Sequence, residues 1–225
     1  MVEISNAEAS ANILRFAEEG RLVQSEWHGQ DDDGREIACL LGAIHPSVTT
    51  AAECNGKLMP MWLAELTPPL FDGIPAAEIV PIAGRYGGLV ARWGDLAPAA
   101  WERVKTAFLI QTVDEAMVAA RPVSEGKPYW PAVEAACKQV KAALESGDKK
   151  ALAAAEAAAE ATAWTAAWAA EAAWTAAWAA RAAEAARAAA EAAAWAAEAA
   201  WTAAKEVFCL RLFTFLLDRI EAECG

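Results

Sequence analysis

Between residues 151 and 204 the chain is mostly alanine, and larger side chains break it at steps of three or four. Glu156, Glu160, Trp164, Trp168, Glu171, Trp174, Trp178, Arg181, Glu184, Arg187, Glu191, Trp195, Glu198, Trp201 and Lys205 follow one another at a mean step of 3.5. That step keeps the side chains in one stripe along a slightly supercoiled helix. The remaining faces carry methyl groups, apart from Thr162, Thr165, Thr175 and Thr202. Alanine has the highest helix propensity and loses no side-chain entropy on folding, so helix is expected and strand is not. No Gly or Pro interrupts residues 149–224. A single helix of that length would reach about 115 Å at 1.5 Å per residue. The segment is therefore expected either to fold back on itself or to pair with another copy or partner. A turn near 181–191, where Glu and Arg replace Trp in the stripe, would bring the two Trp clusters together.

The pattern elsewhere predicts shorter helices. Ser5 and Glu8 form a capping box ahead of a helix carrying Ile13, Leu14 and Phe16, closed by Gly20. Residues 23–27 read as a short extended piece, residues 30–34 as an exposed acidic turn, and residues 37–44 as a helix. Thr49 or Thr50 caps a turn of helix reaching Cys54, closed by Asn55 and Gly56. A helix opens around Pro60 and is expected to end at Pro68-Pro69. Pro81, Gly84, Gly87 and Gly88 predict a bent or interrupted helix over residues 76–90. Pro98 opens a further helix. Its apolar face runs through Trp101, Val104, Lys105, Phe108, Leu109, Thr112, Val113 and Ala116, and Arg121-Pro122 ends it. Pro131 begins the next helix, with Val133, Cys137, Val140 and Leu144 facing inward and Gly147 closing it. Residues 207–220 are apolar over more than one face and are expected to be buried, against residues 97–145.

The fold class that follows is all-α: a helical bundle with a long Ala/Trp-rich helical array. Residues 1–96 form an irregular, mostly helical N-terminal region and residues 97–147 a helical core. Residues 148–225 form the array with its hydrophobic C-terminal helix.

Charge changes the functional picture. The 225-residue chain carries a net charge of -12. It lacks the Lys/Arg field that contacts a phosphate backbone, so direct nucleic-acid binding is not expected. A basic protein surface would be a fitting partner. The charges that recur along the alanine segment exclude a membrane span. Cys39, Cys54, Cys137, Cys209 and Cys224 are odd in number and widely spaced. They read as reduced thiols in a cytoplasmic protein, and the N-terminus has no signal-peptide pattern.

Candidate chemistry is sparse. His28 stands near Asp31, Asp32 and Asp33, but that run does not supply a calcium loop. Cys39, Cys54 and His45 are too widely spaced for a closed zinc site. Gly84, Gly87 and Gly88 complete no phosphate-binding fingerprint. No catalytic residue, cofactor or metal is expected. The sharpest candidate is the stripe itself: Trp164, Trp168, Trp174, Trp178, Arg181, Arg187, Trp195 and Trp201. Trp there supplies bulk that alanine cannot, which suits a core. Trp and Arg also anchor protein interfaces. Both readings stand at this point.

The run W-A-A-E-A-A-W-T-A-A-W-A-A-R-A-A-E-A-A-R from Trp168 resembles the helical arrays of alanine-rich, immunity-type and phage-related proteins. The resemblance covers residues 130–220 and implies a small non-enzymatic protein that neutralises another by binding it. It carries no catalytic residues. The expectation is an inhibitor or immunity protein of phage or prophage type that covers a basic surface of a toxin, nuclease or host defence complex. The alternative is a scaffolding protein that self-associates through the Ala/Trp helices as a homo-oligomer.

Overall fold

The computed structural model describes residues 4–54, 58–148, 150 and 185–225; for residue 123 and residues 185–203 it describes the backbone alone. The fold is all-α, with one small two-stranded sheet. In chain order the elements are α1 (Asn6–Glu18), β1 (His28–Gln30), β2 (Glu36–Ala38), α2 (Met61–Phe71), α3 (Ile79–Val90), α4 (Pro98–Ser124), α5 (Trp130–Ser146) and α6 (Ala185–Cys224). No described helix is long and apolar enough to cross a membrane.

The chain divides into two compact units. The first is Met1–Phe108 with Ala203–Gly225, and the second is Leu109–Thr202.

In the first unit, α1 starts as the sequence predicts. Ser5 Oγ accepts from the Glu8 amide, and the Glu8 carboxylate accepts from the Ser5 amide at 2.9 Å. Two orphan N–H groups of the helix start are thereby satisfied. Ala9, Ile13, Phe16 and Ala17 then face the core at helical spacing. At Gly87 of α3 the neighbouring α1 lies close: a Cβ there would sit 3.0 Å from Leu14.

Residues 37–44 depart from the expected helix. β1 and β2 pair antiparallel with Gly29 opposite Ile37, and the acidic run forms the turn between them. The reason is a prior use of backbone groups. Ala38 donates to the Arg21 carbonyl and accepts from the Val23 amide, and Cys39 donates to the Glu26 carbonyl at 2.9 Å. Those groups are unavailable to a helix. Only a short 3₁₀ turn, Gly42–Ile44, remains. The extended piece expected over residues 23–27 likewise moves to His28–Gln30.

Three further expectations differ. Pro68 and Pro69 lie inside α2, not after it. Each removes a backbone donor, yet the helix continues to Phe71 because Leu70 and Phe71 are core residues, Phe71 fully buried. α3 runs unbroken through Pro81 and its three glycines. Pro81 falls in the first turn, where its missing N–H has no intrahelical acceptor to lose. α4 also runs past its expected end at Arg121-Pro122, to Ser124, although Pro122 lacks the N–H that a residue in the last turn donates. The turn at Thr50 forms as expected, with the Glu53 carboxylate accepting from the Thr49 and Thr50 amides; its closure at Asn55 and Gly56 lies outside the described residues.

The C-terminal part of α6 completes this core. Cys209, Leu212, Phe213, Leu216, Leu217 and Ile220 are buried, whereas Val207 is half exposed. Their cluster draws mainly on residues 9–90, joined by Trp93, Val104 and Phe108, rather than on residues 97–145 as expected. Gly73 is required here: a Cβ would overlap Cys209 Sγ. Arg85 donates to Asp218 and Glu221, Arg103 to Glu223, and Arg92 to the Cys224 carbonyl. Three cations thus meet the C-terminal turn of α6, where the helix dipole is negative.

In the second unit, α4 and α5 pair through Lys141–Asp114 at 2.6 Å and Arg121–Glu134 at 3.2 Å. Seven residues forward on one helix match seven back on the other, which is antiparallel pairing at heptad spacing. α5 buries Trp130, Ala136 and Ala143. Val133, Cys137, Val140 and Leu144 are only partly covered, and on α4 Leu109 and Ala116 are exposed rather than inward. Gly147 closes α5 in the left-handed conformation, φ 66°, as its position predicts. From Ala185 onward the backbone is one helix; the rest of the turn expected near 181–191 lies outside the described residues.

Candidate functional site

The stripe cannot be assembled into a site. Trp164, Trp168, Trp174, Trp178 and Arg181 lie outside the described residues, and Arg187, Trp195 and Trp201 are placed on α6 by backbone only. A different set of tryptophans forms a site in the first unit. Trp62, Trp93 and Trp101 line a recess of about 300 Å³ together with Leu58, Met59, Pro60, Gly94, Leu96, Pro98 and Glu102.

Each indole comes from a different element. Trp62 is the second residue of α2, whose entry is set by the fixed φ of Pro60 at its N-cap. Trp93 opens a 3₁₀ turn directly after α3. Trp101 stands one turn into α4, which Pro98 starts. The rings meet edge to face: Trp62 and Trp101 at 6.3 Å and 73°, Trp93 and Trp101 at 5.7 Å and 69°. These are the separations and angles that the aromatic quadrupole favours.

The floor is braced from the core. Trp93 is 1% exposed and packs edge-on against Tyr86 at 5.1 Å, and Tyr86 packs against Phe213 of α6 at 6.0 Å. The aromatic series therefore runs from α6 through α3 to the recess. The Tyr86 hydroxyl is fully buried, 3.3 Å from Thr67 Oγ1 and 3.6 Å from Met59 Sδ. Thr67 donates to the Leu63 carbonyl, so its oxygen is left to accept from Tyr86. Burial pushes the Tyr86 phenol well above its ordinary range, which makes it a neutral structural group. Asn6 ties the rim: its Nδ2 donates to the Val90 carbonyl at 3.0 Å and, more weakly, to the Leu58 carbonyl at 3.4 Å.

Two electrostatic features distinguish the recess. Among the described residues, Glu102 is its one ionisable lining residue. The neighbouring Arg103 is engaged with Glu223, and Arg92 with the end of α6. The Nε1 atoms of Trp62 and Trp93 are shut off from solvent and have no hydrogen-bond partner among the described residues. Leaving such a donor unmade costs about 1–3 kcal/mol, and the packing of the rings must offset it.

The other candidates are occupied structurally. His28 Nε2 lies 2.8 Å from the Val48 carbonyl, which assigns the ring proton to that nitrogen. Asp31 closes its own turn, accepting from the Asp33 and Arg35 amides and from Arg35 Nε. His45 Nδ1 contacts Ser47. Cys39 and Cys54 are buried, and burial pushes the Cys54 thiol up to about 12 and the Cys39 thiol upward too. A thiol so raised is a poor nucleophile at neutral pH. Among the described residues no three His, Cys, Asp or Glu side chains are grouped to hold a metal ion.

Sequence reading treats Trp62 as part of a helix start and Trp101 as the first residue of an apolar face. Periodicity cannot reveal the recess, because its indoles belong to three elements and share no spacing. The one local signal is a Trp within three residues of a Pro or Gly each time, in Pro60-Met61-Trp62, Trp93-Gly94 and Pro98-Ala99-Ala100-Trp101. No family model, curated protein or solved structure matches the chain.

Proposed function

We propose that this chain is a non-enzymatic binding protein that captures another protein through a basic surface. The observation that carries the reading is the recess of Trp62, Trp93 and Trp101 with Glu102 at its edge. Trp is enriched among residues that dominate binding energy, and partly buried indoles on a rigid floor lose little entropy on capture. The net charge of -12 supplies long-range attraction for a basic partner and speeds encounter. Inhibition follows naturally if the covered surface is a nucleic-acid path of that partner.

The test is co-purification from the native host with the full chain, beside the variants Trp62→Ala and Trp101→Ala checked for unchanged helicity. One stoichiometric basic protein, lost from both variants and weakened at high salt, is the expected result. Equal retention by wild type and variants would overturn the recess as the binding site. If no partner is retained and light scattering gives an integral multiple of the chain mass, self-association through the Ala/Trp helices replaces the reading.

A further inference from the structure

We infer that the Trp62–Trp93–Trp101 recess is a binding site for an N-alkylated ammonium group, of the trimethylammonium type. This goes beyond the capture of a protein and stands or falls separately from it.

Lining chemistry selects the ligand class. Among the described residues, the formal charge in the lining is the negative one of Glu102, with no Lys, Arg or His beside it. Glu102 has no ion-pair or hydrogen-bond partner among the described residues, so its carboxylate is available to a cation. Trp62 and Trp101, both partly exposed above the buried Trp93, offer π surface, whose negative quadrupole attracts a cation within about 6 Å of a ring centroid, Trp most strongly of the aromatics. Trp62 and Trp101, standing at 73° to one another, form the walls of a corner over Trp93, and a compact, rounded cation meets both rings there.

The polar edges of the rings explain why the cation is alkylated. Trp62 and Trp93 line the recess, yet their Nε1 atoms are sealed from solvent. What these two rings offer is carbon, not N–H. The remaining side chains are Leu58, Met59, Leu96 and prolines, which carry no strong acceptor. A bare ammonium has three donors to satisfy, and the lining side chains offer it a single carboxylate. An alkylated ammonium presents C–H surface to the rings and sheds its water at lower cost. A volume of about 300 Å³ lies at the small end of ligand pockets, which fits a headgroup and a few further atoms. A free anion is disfavoured by Glu102, and a neutral aliphatic would gain nothing from it.

The test is calorimetric titration of the full chain with tetramethylammonium chloride, choline, a short peptide bearing Nε-trimethyllysine, and 3,3-dimethylbutan-1-ol, the uncharged carbon isostere of choline. Saturable binding of the cations, with the isostere roughly tenfold weaker, is expected. Glu102→Gln, at an exposed position, should weaken the cations roughly threefold to fivefold without touching the isostere. Trp101→Leu should abolish binding. Tighter binding of the peptide than of choline places the group on a partner's side chain, and the reverse order points to a free small molecule; either supports the inference. Equal binding of choline and its isostere, cation binding unchanged in Glu102→Gln, or no saturable binding by any cation would overturn it. Failure to capture a protein partner leaves these titrations unaffected.

Discussion

The first unit spends large, varied side chains on its core, whereas the second relies on repetition. Trp93, Tyr86, Phe71 and Phe213 are among the largest fully buried residues of the first unit, and no two of them lie on the same helix. In the second unit α5 buries two alanines, seven residues apart, behind one Trp. The first arrangement fixes a unique geometry, because each ring fits only one place and volume errors are costly. The second tolerates substitution, since small residues at heptad spacing ask little of one another beyond proximity. A site that must hold three indoles in register therefore belongs where packing is specific.

The sharpest way to break this contrast is to add one carbon to each unit at a glycine. In the first unit, a Cβ at Gly42 would overlap the Trp27 carbonyl oxygen and press on Ala38. The obstacle is main chain, already held by the Cys39 amide, so no rotamer change relieves it. Gly42→Ala should cost about 3 kcal/mol, lowering the melting temperature by roughly 6–12 °C, measurable by thermal circular dichroism. A change below about 1 kcal/mol would show that the strand pair and its 3₁₀ turn are far softer than their contacts imply.

The same contrast explains what could be read from the sequence. The Ser5–Glu8 capping box, the Thr50 turn, the Gly147 closure and the burial of residues 209–220 are all local or periodic signals, and the fold has them. Residues 37–44 look helical from local signals alone, while the backbone partners that hold them extended, Arg21, Val23 and Glu26, come from elsewhere in the chain. Pro68 and Pro69 mislead for a related reason: their propensity cost is outweighed by burial of Phe71, which no local rule registers. The recess is the extreme case. Its three Trp become neighbours only through the packing of α2, α3 and α4. The conspicuous periodic pattern lies in Trp164–Trp178 instead, positions outside the described residues.

In the second unit the matching change is Gly147→Ala. A Cβ there meets nothing within 4 Å, but the residue sits at φ +66°. The cost is then purely that of a left-handed alanine, about 1 kcal/mol. Hydrogen exchange should register it as faster opening of the last turn of α5, with the amides of α1 and α3 unchanged. A loss comparable to that of Gly42→Ala would mean that the close of α5 is packed in a way its open surroundings do not suggest.

The smallest expected effect is an acid limb confined to the first unit. Backbone and side-chain hydrogen bonds from Ser5 hold Glu8 below its ordinary value of 4.5, and those from Thr49 do the same for Glu53. The Arg35 amide holds Asp31 below 3.8, and the Arg103 side chain lowers Glu223. All four are depressed carboxylates, so their contribution is fully present above the unfolded values. It is lost as pH falls through the lower folded ones, because the unfolded chain binds its protons first. Glu8 is exposed and Asp31, Glu53 and Glu223 are partly so, which keeps each contribution small. They also all lie in the first unit, so the limb should be asymmetric. The indole resonance of Trp93 reports on the first unit and that of Trp130 on the second. Between pH 7 and pH 5 the thermal transitions followed at the two should keep a constant separation, and below about pH 4.5 the Trp93 transition should fall relative to that of Trp130. Parallel decline of both would mean that acid acts through groups shared by the whole chain rather than through these four local hydrogen-bond networks.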